Sequence, residues 1–228
     1  MSGQLRSLLV ALASAVAAIG LALAILLMPW FTSVGVRAAK APAIRELGGR
    51  AALDAAEAAR RYVTGRSHSL PERISGRAAF DAATAAHLDD VRRVVDAVRW
   101  VTVVALVGLW NLVAHAVAHG TQFELARGLR WSGRMLLAVA AASVLAGLAD
   151  FTPAFVAFHR VFFPQGGWQF PDDALIIRLF PERFWALSGA TLVALIAVAG
   201  VVLLMASRFV RRLFEERGRA AGHTPFGD

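Results

Sequence analysis

The chain has 228 residues, 57% of them hydrophobic, and 24 lysines and arginines against 16 aspartates and glutamates, a formal net charge of +8. A water-soluble domain of this length has no core large enough to hide so much apolar surface. The lack of cysteine excludes disulfides, thiolate metal sites and a cysteine nucleophile, and the basic excess is read here as charge placed about a membrane, not as a nucleic-acid surface.

After a short N-terminal segment, 1–7, the stretch Leu8–Met28 runs 21 residues without a charge. At about 1.5 Å per residue this crosses a hydrocarbon layer of about 30 Å. With Trp30 and Phe31 as interfacial anchors, it predicts a first span over 8–30. The rival reading, a cleaved signal peptide ending at Ala41-Pro42-Ala43, is disfavoured because the apolar core exceeds the usual 7–15 residues or so. Residues 31–99 then form a long loop. Ile44–Val63 is rich in alanine, leucine and alternating charges and predicts a helix, which Gly65 stops. Leu70-Pro71 and Ser75-Gly76 break the chain. Asp81 is the expected N-cap of a helix that starts at Ala82 and runs into a second span, 100–118. His87, Asp90, Val91, Val94 and Val98 share neighbouring positions on it, so His87 and Asp90 can touch. A carboxylate there would fix the imidazole tautomer and raise its basicity.

Residues 119–130 are expected as a connecting loop and 131–149 as a third span, full-length only if Trp131–Arg134 enters the interface with Arg134 snorkelling. Asp150 closes that span as a helix-terminal residue. In 150–183, Thr152 as N-cap and Pro153 at the first position start a short helix that Pro164 ends. Phe155, Phe158 and Phe162 make an aromatic stripe, with His159 one turn from Phe155, suited to lying in the membrane surface. Gly166-Gly167-Trp168 turns the chain at headgroup level. Pro171-Asp172-Asp173 opens another short helix bearing Leu175, Ile176 and Leu179, the two acids complementing its dipole. Pro181-Glu182 starts the fourth span, 184–206, and 207–228 is a basic tail. Both termini and the 119–130 loop share one side, marked by Arg6, Arg127, Arg130, Arg134, Arg208, Arg211, Arg212, Arg217 and Arg219; the second loop is charge-balanced. The 31–99 segment is too long to inform the count. The sequence therefore predicts an all-α membrane protein of the cell membrane. It is a four-transmembrane-helix bundle with cytoplasmic termini and a small, mainly helical extracytoplasmic cap built from 31–99 and 150–183.

The remaining polar residues have plain explanations. His68 and His223 sit in polar surroundings suited to solvation. His115 and His119, four apart, share a face but lack a third metal ligand, which favours interfacial histidines. Arg160 beside His159, and Arg92-Arg93 beside Asp90, suit a lipid phosphate or an oxyanion, but arginine is common in this chain. From spacing alone, His87 and His159 remain open between a catalytic pair and two interfacial imidazoles. No nucleophile elbow, zinc-protease helix, phosphate loop or dinucleotide fingerprint is present. No span carries an acid near its middle, which disfavours a transporter, and Asn111 serves helix joining.

The run Phe158-His159-Arg160-Val161-Phe162-Phe163, followed by Trp168, Phe170-Pro171, Ile176, Pro181 and Phe184, resembles the bacterial lipoprotein intramolecular transacylases. Arg61-Tyr62-Val63 and His87-Leu88-Asp89-Asp90-Val91 resemble the same family in the same order. The resemblance covers about Leu8 to Met205, and much of 32–60 departs from it. It implies a two-histidine site in an outer cap, His87 and His159 here, with Asp90, Tyr62, Arg160 and Trp168 in supporting places. It also implies transfer of the sn-2 acyl chain of a diacylglyceryl-cysteine lipoprotein to that cysteine's amine, giving the lyso form, with membrane phospholipid around it and no cofactor, metal or nucleic acid. The chemistry suits the residues: an α-amino group of reference pKa about 7.7–8.0 must lose a proton to attack. A neutral imidazole is a fit base, and a second imidazole can donate to the oxyanion or departing alkoxide. His87 oriented by Asp90 as base and His159 as acid is one assignment; the reverse stays open. The alternative class is a non-enzymatic membrane accessory protein binding an envelope partner or lipid, which would leave the two rings apart.

Overall fold

The computed structural model describes residues 2–149 and 151–220; Asp150 and His223 lie outside them. Among the described residues the chain is helical apart from one small hairpin. Helix α1 (Gly3–Leu26) is followed by α2 (Pro29–Ala38), α3 (Pro42–Leu47) and α4 (Gly49–Val63). The hairpin pairs β1 (Arg73–Ile74) with β2 (Arg77–Ala78). The chain then continues as α5 (Ala82–His119), α6 (Gln122–Ala149), α7 (Phe151–Phe162), α8 (Leu175–Leu179) and α9 (Glu182–Ala220). Four of these, α1, α5, α6 and α9, are long and apolar enough to cross a membrane. Val101, Val104, Val107 and Trp110 of α5 stand exposed, as do Val198, Val201 and Val202 of α9. Such surface is stable only against an apolar solvent. The all-α membrane architecture with four spanning helices is the one expected.

Several boundaries differ from expectation, each for a local reason. The first helix ends at Leu26, not Trp30, because Pro29 opens a new helix, α2, where its missing N–H costs nothing. The helix expected over Ile44–Val63 is interrupted at Gly48, whose φ of +85° no L-residue adopts readily. Ser75 and Gly76, both at positive φ, do more than break the chain: they make the two-residue turn of the hairpin. The 119–130 loop shrinks to the Gly120-Thr121 link between α5 and α6, so Arg127 and Arg130 lie on a helix. Thr152 lies inside α7 and is not its N-cap; its hydroxyl instead reaches Glu182 Oε1 at 3.5 Å. Asp81 does cap α5, its Oδ1 accepting the Thr84 N–H at 2.7 Å.

The chain forms two compact units. One comprises Met1–Leu21, Val101–Ala142 and Ala194–Asp228, and the other Ala22–Trp100 and Ser143–Val193. In the first, helices meet where side chains are small. A Cβ on Gly133 would stand 2.7 Å from the Gly200 carbonyl, and one on Gly200 would stand 3.0 Å from the Gly133 carbonyl. This reciprocal approach joins α6 and α9. Gly128 meets Val10 and the Ser7 carbonyl of α1 in the same way. Between helices in lipid, hydrocarbon contact is no better than contact with acyl chains, so close backbone packing supplies the attraction. The Ser207 hydroxyl adds a bond to the Ala126 carbonyl at 2.6 Å. Gly133→Val is therefore expected to destabilise the protein by about 1–3 kcal/mol, read as a lower midpoint of thermal unfolding in detergent. Gly108→Val, where a Cβ meets nothing within 4 Å, is the neutral control. Equal midpoints for the two would remove close packing as the reason for Gly133.

In the second unit, alanine does the packing. Ala52, Ala55 and Ala56 of α4 are buried with Val36, Ala39, Ala41, Ala43, Leu179 and Phe184. Small side chains let α2, α3, α4 and α8 approach closely, which accounts for the alanine richness of this segment. Buried Arg60 holds Glu57 through two bonds of 2.6 Å and donates to the Leu27 carbonyl at 3.0 Å, satisfying an acceptor just past the end of α1. Ala59 and Val63 of α4, Leu88 of α5 and Ile176 of α8 form a further buried cluster, with Phe80, Phe170 and Phe180 packed on it. Leu88 thereby anchors the stretch of α5 that carries His87.

Candidate functional site

Everything in the site belongs to the second unit. His87 lies on the charged first part of α5, ahead of the uncharged stretch that begins at Trp100. His159 lies on α7 and is 7% exposed. Their ring centroids are 6.3 Å apart with planes 26° from parallel. The N–H bonds and lone pairs of an imidazole lie in its ring plane, so a substrate meets each ring at its edge.

The walls are aromatic. Phe163 packs against both imidazoles, at 5.2 Å from His87 and 5.7 Å from His159. Phe170 closes the His87 side at 5.5 Å, and Phe155 and Trp168 hold His159 at 4.1 and 4.8 Å. Phe158 and Phe162, by contrast, are exposed with Val161. The expected stripe of three phenylalanines is therefore split, Phe155 turning inward beside His159 and Trp185. Apolar walls raise the cost of charging either imidazole. Burial holds the pKa of His87 below the usual imidazole value, with the neighbouring His159 adding to the effect and the Asp90 carboxylate opposing it. His159 is likewise lowered by burial, opposed by its bond to a carbonyl.

That bond decides a tautomer. His159 Nδ1 lies 2.8 Å from the Phe155 carbonyl oxygen one turn earlier. A carbonyl only accepts, so in the neutral ring the proton resides on Nδ1 and Nε2 keeps its lone pair. His87 Nδ1 is buried and has no hydrogen-bond partner among the described residues.

Helical spacing brings Asp90 within reach of His87, but the expected contact does not form. The Asp90 oxygens instead accept from Gln165 Nε2 at 2.9 Å and from the Arg93 guanidinium, so Asp90 acts on His87 through its charge. Gln165 belongs to the turn after α7, so this bond ties the two histidine-bearing segments together. Tyr62 donates to Asp89 Oδ1 at 2.5 Å, with Arg92 lying 5.8 Å over its ring. Trp168 is at the site; Arg160 is exposed and makes no ion pair among the described residues. Phe163, seen in the sequence only as part of a motif, takes a place against both rings that its four-residue step from His159 signals; Gln165, which no local pattern signals, was not foreseen. His115 and His119, in the first unit, stack at 4.1 Å, and no group of three potential metal ligands exists among the described residues. Two neutral imidazoles, one with a directed lone pair, close together within aromatic walls can take up and return a proton at a substrate that reaches their ring edges.

The family model described as lipoprotein intramolecular transacylase Lit matches residues 7–185. No curated protein sequence matches the chain. Among solved structures, the chain is similar to the membrane integral lipoprotein intramolecular transacylase Lit from Bacillus cereus, with a TM-score of 0.79 and 15% identity over 92% of this chain and 96% of that one. Two variants of the same Bacillus cereus protein, each with one histidine replaced, match with TM-scores of 0.74 and 0.72 at 14% and 15% identity, over 94% and 92% of this chain and 94% of theirs.

Proposed function

The chain belongs to the lipoprotein intramolecular transacylase family, and from that premise we propose that it moves the sn-2 acyl chain of a diacylglyceryl-cysteine lipoprotein to the amino group of the same cysteine. His87 and His159 are its acid–base pair. The observation that carries this reading is the pairing of the two imidazoles, 72 positions apart in sequence yet 6.3 Å apart in space. An accessory role offers no account of that pairing.

His159 Nε2, left as an acceptor by the Phe155 bond, is the base that takes a proton from the cysteine ammonium. The freed amine attacks the ester carbonyl, and His87 donates to the oxyanion that develops. As the tetrahedral intermediate collapses, the glycerol oxygen leaves and receives a proton from His159. The C–O bond to glycerol breaks, the C–N bond of the amide forms, and the reaction releases one proton to the medium. Ester and amine belong to one molecule, so the aromatic walls need only fold the headgroup into a reactive pose; such oriented reactions reach effective molarities of about 10⁵ M or more. Trp168 holds the His159 ring, Asp90 ties α5 to the loop after α7, and Tyr62 braces Asp89. Exposed Arg160, with Phe158, Val161 and Phe162, suits docking at the phosphates of the surrounding phospholipid. The distribution of arginine supports cytoplasmic termini and an extracytoplasmic site.

In a bacterial host whose lipoproteins are diacylated, expression of the chain is expected to convert a reporter lipoprotein to a form with one chain on the glyceryl group and one on the amine. Mass spectrometry of the N-terminal lipopeptide reads the position of each chain. A reporter that stays diacylglyceryl while the protein is folded and in the membrane would sink the proposal.

A further inference from the structure

In the first unit, a hollow of about 200 Å³ is lined by Phe123, Glu124, Arg127 and Arg130 of α6 and Arg211 of α9. The arginines are poorly neutralised. Arg127 spends its donors on neutral oxygens, Ser7 Oγ at 2.8 Å and the Gly3 carbonyl at 2.9 Å. Half-buried Arg130 has no ion pair among the described residues. Arg211 meets Glu215 at 3.3 Å. Three guanidinium charges against the Glu124 and Glu215 carboxylates leave about one positive charge, which matches the single negative charge of a phosphodiester.

Depth points the same way. Arg130 stands five residues before Met135, where the uncharged stretch of α6 begins, and Arg211 four residues after Ser207, where that of α9 ends. At about 1.5 Å per residue they lie about 7.5 and 6 Å beyond the apolar segments. The headgroup layer on each face of a bilayer is of that thickness, about 5–7 Å. Exposed Trp131, four residues before Met135, marks the same level with an aromatic ring of the kind usual at a membrane interface.

We propose that this hollow is a binding site for the phosphodiester of an anionic glycerophospholipid, with Arg130 as the principal ligand and Arg127 and Arg211 beside it. The site is separate from the histidine pair and does not depend on its chemistry. Arginines that merely attract anionic lipid diffusely would be interchangeable with exposed neighbours; these converge on one hollow.

The test is binding of phosphatidylglycerol to the full-length protein in detergent, measured by native mass spectrometry. Arg130→Gln is expected to weaken binding by about tenfold or more, the loss of a charge-assisted contact. Arg134→Gln removes the same charge from an exposed position and is expected to change affinity by less than about twofold. Phosphatidylcholine is expected to bind more weakly, and inorganic phosphate not to displace the lipid. The site is overturned by an unaltered affinity in Arg130→Gln, by an equal loss in Arg134→Gln, or by displacement with inorganic phosphate. Should Arg130→Gln fail to fold, Arg211→Gln is held to the same tenfold loss, and an unaltered affinity there overturns the site equally.

Discussion

Replacing His159 by alanine is expected to slow acyl transfer by about 10²–10⁴-fold, the range that a positioned acid or base contributes. His159→Gln, which keeps a polar side chain of similar bulk but no basic nitrogen, is expected to be as slow. His87→Ala removes the proposed oxyanion donor and is expected to fall in the same range. Because the proposed mechanism has one imidazole act on the proton and the other on the charge of a single transition state, the losses are not expected to multiply. The double variant is expected to be little slower than the worse single one. The measurement is single-turnover conversion of a diacylated lipopeptide in detergent, with monodispersity of each variant checked first. The buried cluster of Ala59, Val63, Leu88 and Ile176 holds the His87 stretch of α5 without that ring, whereas Phe155, Phe163 and Trp168 pack on the His159 ring itself, so the monodispersity check matters most for the His159 variants. A single variant that keeps more than about a tenth of the rate would remove that histidine from the chemistry. Loss of activity with loss of monodispersity would instead mark His159 as structural.

The rate of that same turnover is expected to fall on acidification, with a midpoint below the ordinary imidazole value of about 6.5. The sign follows from burial. Apolar surroundings disfavour the charged form, so both imidazoles are lowered and both are neutral at neutral pH. The base is lost only as pH falls through that lowered value, after which the rate drops about tenfold per pH unit. Asp90 opposes the shift of His87; Asp90→Asn is expected to move the acid limb lower if His87 contributes to it, and to leave it in place if His159 alone does. A single inflection near 7.7–8.0 would report the substrate's own amine and leave no role for an imidazole base.

Much of the architecture is legible in the sequence because a membrane writes a coarse signal. A run of twenty or so uncharged residues needs no partner to be recognised as a span, and Asp81 caps α5 through a side chain three residues from the N–H it meets. The histidines stand out as residue types suited to proton transfer. Their pairing is not legible in spacing, and only the family resemblance implies it. His87 and Asp90 are three apart on a helix, which makes contact available, yet the Asp90 oxygens go to Gln165 and Arg93. The competing partner comes from a distant turn that helical spacing does not reveal. The helix breaks at Pro29 and Gly48 escape a local reading, because proline at a helix start and glycine at positive φ are each compatible with several local paths. Thr152 has the local features of a cap and is an interior residue for the same reason.

From composition and charge runs alone come the solvent this protein lives in, the number of its crossings and the residue types available for acid–base work, because these depend on sums over neighbouring residues. Tertiary structure decides which imidazole faces which, where each proton sits, and how three arginines converge on one hollow. Those depend on distances between segments far apart in the chain, set by which small side chains allow two backbones to approach.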